Sequence, residues 1–127
     1  MKDGNLSESL GEFIDALEGN PEWIVEIATL IANADGTIDA DEEKALIETL
    51  EGAFHAKLSP MVIRALVGEA LETIETEGGE VRAEKLAEWL KDAGKQEAAV
   101  GLARRIAESS GSIGEEEAAL IAILSGA

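Results

Sequence analysis

The chain of 127 residues contains no cysteine. Without thiols there is no disulfide, no thiolate metal site and no cysteine nucleophile. Aromatic residues number only four, Phe13, Trp23, Phe54 and Trp89, so a core has to be assembled from Leu, Ile, Val and Ala. There are two prolines and one histidine; few prolines in an Ala- and Leu-rich chain favour helices. No apolar run approaches the roughly 20 residues of a transmembrane helix. The opening MKDGNLSESL lacks the apolar centre of a signal peptide. The sequence therefore predicts a cytoplasmic protein without membrane insertion.

Basic residues are also scarce, ten against 27 acidic ones, for a net charge of −17. The excess is uneven: 13 acids and two bases fall in residues 1–50, and 14 acids and eight bases in the remainder. A field of this sign repels phosphate backbones and anionic lipid head groups, so no nucleic acid is expected as a partner. It attracts divalent cations and basic protein surfaces, and it also confers solubility. Arg64, Arg82, Lys85, Lys91 and Lys95 are scattered, and Arg104–Arg105 is explained by ion pairing with Glu97 or Glu108.

Apolar residues make up 46% of the chain, enough to exclude wholesale disorder, and the length suits one domain, residues 1–127. Turn and cap residues mark about seven helices. Ser7 caps the first, which carries Leu10, Phe13, Ile14 and Leu17 and stops near Gly19. Asn20–Pro21 opens the second, with Trp23, Ile27, Leu30, Ile31 and Ala34 at helical spacing, ending at Gly36. Asp39 and Glu42 form a capping box for the third, and Ser59–Pro60 starts the fourth, which Gly78–Gly79 ends. The fifth carries Val81, Leu86, Trp89 and Leu90 and stops at Gly94. Two more run from about Gln96 to Ser109 and from Glu115 to about Leu124. No segment alternates with a period of two, so the expected class is an all-α bundle.

Residues 28–47 and 103–122 align at a constant offset of 75. Ala28 meets Ala103, Ile31 meets Ile106, Gly36 meets Gly111, Ile38 meets Ile113 and Glu42 meets Glu117. Each copy reads as helix, glycine turn, buried Ile and a helix opening with acids, which suggests an internally pseudo-symmetric fold. The first copy invites comparison with a calcium loop. With Gly36 at the sixth position, Asn33, Asp35, Asp39 and Glu42 take ligand positions, but the first position is Ile31. An aliphatic side chain cannot ligate a hard cation, so the residues do not make an EF-hand. Asp35, Asp39, Asp41 and Glu42 form a looser acidic group that could hold Ca²⁺ or Mg²⁺ through several waters. The competing reading gives Asp39 and Glu42 to the helix cap and leaves Asp35 and Asp41 in solvent.

The pattern AxxIAxADGxIxxxEExxL, followed after a helical middle region by a second copy, resembles the TerB-like domain of tellurite-resistance proteins. Ala32, Ala34, Asp35, Gly36, Ile38 and Glu42 carry the resemblance, then Ile106, Ala107, Gly111, Ile113 and Glu117. It covers about residues 21–124. The second copy departs at Ser109–Ser110, where the family has Ala-Asp. The resemblance implies an all-α stress-response component whose acidic surface, at Asp35, Asp39 and Glu42, would meet a cation or a partner. It does not imply chemistry on tellurite, because a chain of this charge repels an oxyanion and holds no thiol reductant.

Catalytic motifs are absent from the sequence: no Gly-x-Ser-x-Gly elbow, phosphate loop or His-Glu-x-x-His occurs. His55 stands near the end of a helix and is read as a helix-end cation. Trp23 and Trp89 are read as core residues rather than pocket walls. The expected function is a non-enzymatic module that presents an acidic face to a basic partner or a cation. A divalent-metal-binding domain is the alternative, and a small carboxylate-dependent hydrolase a further one.

Overall fold

The computed structural model describes residues 21–34, 38–54, 58–108 and 113–126. Six α-helices occupy them: α1 (Pro21–Ala32), α2 (Ala40–Phe54), α3 (Pro60–Glu77), α4 (Gly79–Ala93), α5 (Gln96–Glu108) and α6 (Glu115–Leu124). No strand occurs among the described residues, and the fold is all-α. The expected first helix (7–19) and His55 lie outside the described residues, so the structure gives six of the seven helices read from the sequence. None of the six is long and apolar enough to cross a membrane.

The architecture follows from α1. Its sequence, PEWIVEIATLIA, buries Ile24, Val25 and every residue from Ile27 to Ile31. Seven buried positions among eight leave no side of the helix that prefers water, and a helix apolar all round has to be enclosed. The other five helices all touch α1. Its one buried polar side chain is satisfied within the helix, because the Thr29 hydroxyl donates to the Val25 carbonyl at 2.7 Å. The surrounding helices each contribute a stripe to one continuous core, including Leu50 and Phe54 of α2, Ile63 of α3, Leu86 of α4, Leu102 of α5 and Leu124 of α6.

Local signals set the helix boundaries. The Ser59 hydroxyl accepts the Val62 N–H at 3.2 Å, with Pro60 opening α3 behind it. The α1 helix ends at Ala32, two residues before the periodicity suggested; the Ala34 N–H bonds to the Ile31 carbonyl at 3.2 Å, a tighter turn. Gly78 alone separates α3 from α4. Its φ of 96° and ψ of 142° are conformations that a side chain resists, which allows a reversal within one residue. Gly79 already belongs to α4, so the two glycines divide the work of stop and start.

Two core expectations fail on α4. Val81 is 42% and Trp89 43% exposed, because the buried stripe of this helix is Ala83, Leu86, Ala87 and Leu90. Trp89 lies outside that stripe and stacks instead under the Arg82 guanidinium, whose carbon stands 5.4 Å from the ring centroid. Trp23 is half-buried against the core.

Arg82 links α4 to α1 by a two-pronged ion pair. Its Nε donates to Glu26 Oε2 at 2.5 Å and its Nη2 to Glu26 Oε1 at 2.8 Å, with both side chains 12% exposed. Lys85 donates to Glu77 Oε1 at 2.7 Å, and Arg82 Nη1 reaches the same oxygen at 3.4 Å. The hydrogen bond from Lys85 is the main cause that holds the Glu77 carboxyl below its ordinary pKa of 4.5, opposed by partial burial and aided by Arg82. Hydrogen bonding to Glu26 likewise raises the Arg82 pKa, so Arg82 keeps its charge at every pH of interest.

Two predictions follow from this core and its ion pairs. Truncating Ile27, which is 0% exposed, to Ala lowers unfolding free energy by about 2–5 kcal/mol in urea titrations. Met61→Ala, at a residue 78% exposed, changes it by no more than about 0.5 kcal/mol. For Glu77 the folded state favours the charged form, so its contribution is complete above about pH 5 and is lost as pH falls through its lowered pKa. The difference in urea midpoint between the parent protein and Glu77→Gln therefore shrinks on acidification from about pH 5 to pH 3; a constant difference refutes the linkage.

Candidate functional site

Each sequence copy spans two consecutive helices. The first is α1–α2 and the second α5–α6. The offset of 75 found in the loops extends to the helix starts: Pro21 corresponds to Gln96, and Ala40 to Glu115. Ile24, Ile27 and Ala28 are each 0% exposed, and so are Ala99, Leu102 and Ala103. Leu46 at 7% meets Ile121 at 5%. Ile38 and Ile113 are both partly buried against the core. Ile31 is helical and 1% exposed, while Ile106 is helical and partly buried. The first position of the would-be calcium loop is thus a helical, core-facing aliphatic residue in both copies.

The capping box at the start of α2 is formed in full. The Glu42 N–H donates to Asp39 Oδ1 at 2.8 Å, and the Asp39 N–H donates to Glu42 Oε1 at 2.9 Å. The second copy retains half of it: the Gly114 N–H donates to Glu117 Oε1 at 2.8 Å, but glycine has no side chain with which to return the bond. Asp41 is exposed, and Asp35 lies outside the described residues. Among the described residues no three His, Cys, Asp or Glu side chains stand close enough to share a metal ion. A cation held at Asp39 and Glu42 would compete with both cap bonds.

A different set of acids surrounds an open cleft of about 360 Å³. Leu30, Asn33 and Ala34 enter it from the end of α1, Ile74 and Glu75 from the end of α3, Gly79 and Glu80 from the start of α4, and Glu116, Ala119 and Leu120 from α6. Among the described residues its lining is aliphatic at Leu30, Ala34, Ile74, Ala119 and Leu120, carries three carboxylates and includes no lysine or arginine. Glu75, Glu80 and Glu116 are all exposed. Nearby cations are committed elsewhere, Arg82 to Glu26 and Glu77, and Lys85 to Glu77. The cleft joins the first helix of one copy to the second helix of the other, so neither copy forms it alone.

Helix electrostatics divides the three carboxylates. Glu80 and Glu116 stand in the first turns of α4 and α6, where a negative charge meets the positive end of the helix dipole. Glu75 is in the last turn of α3, which contains no basic residue. There the dipole is unfavourable to an acid, and Glu75 has no ion pair among the described residues. Of the residues singled out in the sequence, none of Asp39, Asp41 and Glu42 lines the cleft. Glu75 and Glu80 lie between the two copies, where the repeat gives no signal, and Glu116 reads in the sequence as a helix-start acid.

Compared with protein-family models, curated proteins and solved structures, the chain matches none.

The caps yield a paired prediction. Asp39→Ala removes one bond of the complete box and lowers stability by about 1 kcal/mol. Gly114→Ser supplies the missing acceptor at a residue whose backbone is already extended, φ −76° and ψ 168°, and raises stability by a few tenths of a kcal/mol. Thermal melts of both variants check the signs. If Asp39→Ala melts with the parent, the hydrogen-bonded cap is not contributing.

Proposed function

We propose that the chain is a non-enzymatic interaction module that presents an acidic face to a basic partner. The TerB-like pattern of the sequence makes a tellurite-resistance-type stress response the proposed setting. The observation that carries the reading is Glu75. It stands at the wrong end of α3 for its charge, lacks a compensating cation among the described residues, and faces the same cleft as Glu80 and Glu116. Local choices that oppose stability without an evident structural return concentrate where a protein meets its partners. A basic surface docking here would supply the missing counter-charge to all three carboxylates and would gain from the long-range field of the chain during approach. Among the described residues the polar side chains lining the cleft are Asn33 and these carboxylates, a set suited to holding cationic groups.

A lysine 20-mer titrated calorimetrically at low and moderate salt tests the location as well as the charge. The triple variant Glu75→Gln, Glu80→Gln and Glu116→Gln weakens binding about tenfold, as expected for the loss of three partly exposed ion pairs. The control Glu84→Gln, Glu88→Gln and Asp92→Asn removes the same number of charges from the exposed face of α4 and weakens it far less. Equal loss in the two triples assigns binding to net charge and refutes an acidic docking face at the cleft.

A further inference from the structure

Charge alone does not account for the composition of the cleft. Its lining combines Leu30, Ala34, Ile74, Ala119 and Leu120 with the three carboxylates, an aliphatic surface beside acids. A partner that offered only lysines would satisfy the carboxylates and leave water against the aliphatic lining. A partner that offered only an apolar group would desolvate the carboxylates without pairing them, which is unfavourable. The arrangement therefore matches an occupant with both features close together.

We propose that the cleft takes a single large apolar side chain of a partner protein, flanked in that partner's sequence by lysine or arginine. The proposal rests on the acidic docking reading above and specifies the segment that docks. The cleft is lined from four helices, and its aliphatic residues lie together with three carboxylates, so an apolar anchor with cations beside it satisfies both. Its volume of about 360 Å³ lies at the lower end of the roughly 300–1,000 Å³ typical of ligand sites, which is ample for a large apolar side chain. Apolar anchors in a pocket surrounded by a polar rim are the usual centres of binding energy in protein interfaces. Here the carboxylates add selection by sign: an acidic or neutral flank would leave Glu75, Glu80 and Glu116 unpaired or repelled.

The experiment uses two fluorescein-labelled 12-residue peptides of identical charge, one with leucine centred among lysines and one with alanine in its place. Fluorescence anisotropy against the full chain reads both affinities. The leucine peptide is expected to bind about tenfold or more tightly, the return from burying one large aliphatic side chain. Ala119→Trp, which fills the cleft from an exposed position, abolishes the preference, with a thermal melt confirming that the variant is folded. Ala119→Lys, which places a cation in the cleft, is the second variant and also removes it. Equal affinity for the two peptides overturns the apolar anchor and leaves the acidic docking face intact. Absence of binding by either peptide overturns both readings. A leucine preference that survives in folded Ala119→Trp and Ala119→Lys overturns the assignment to this cleft.

Discussion

The constraint on which the structure depends is the enclosure of α1. A 12-residue helix that buries Ile24, Val25 and all of Ile27–Ile31 cannot lie on a surface. The remaining helices are arranged so that each covers part of it. This brings the C-terminal end of α1 to the end of α3, the start of α4 and the first half of α6, and residues from all four line the cleft. The same enclosure explains why the anchoring ion pair is partly buried: Glu26 is on the helix that everything else surrounds, and Arg82 closes over it from α4 with both side chains 12% exposed.

The protein handles its acids in three ways. Some are neutralised, as Glu26 and Glu77 are by Arg82 and Lys85. Some serve helix starts, as Asp39, Glu42 and Glu117 do through backbone hydrogen bonds. Glu75 does neither. In a chain of net charge −17, an additional acid at the negative end of a helix dipole works against folding. It lines the aliphatic cleft together with Glu80 and Glu116, and the proposed docking reading rests on that placement.

The two copies show how one local pattern can persist while its surroundings diverge. The bond from residue 39 or 114 to the acid three positions on is kept at 2.9 and 2.8 Å, since helix capping depends only on neighbouring residues. Burial is kept only in part. Thr29 and Leu30 on α1 correspond to the exposed Arg104 and Arg105 on α5, because all five other helices touch α1 and fewer cover α5. The interior therefore holds a complete copy of the apolar pattern and the periphery a half-polar one.

The sequence alone determined whatever depends on near neighbours. Spacings of three and four specified the helices, Ser59–Pro60 and Asp39–Glu42 specified two of their starts, and the Ala28/Ala103 register specified the repeat. The resulting all-α class is what the structure has. Trp89 shows where that reasoning ends: its spacing suited a core position, but the covered side of α4 is decided by its contacts with other helices. The cleft was illegible for the same reason. Leu30, Glu75, Glu80 and Glu116 are separated by up to 86 positions, and no periodicity links them. Only packing around α1 brings them together, because it is the tertiary arrangement of helix ends, rather than any local preference, that decides which charges share a surface.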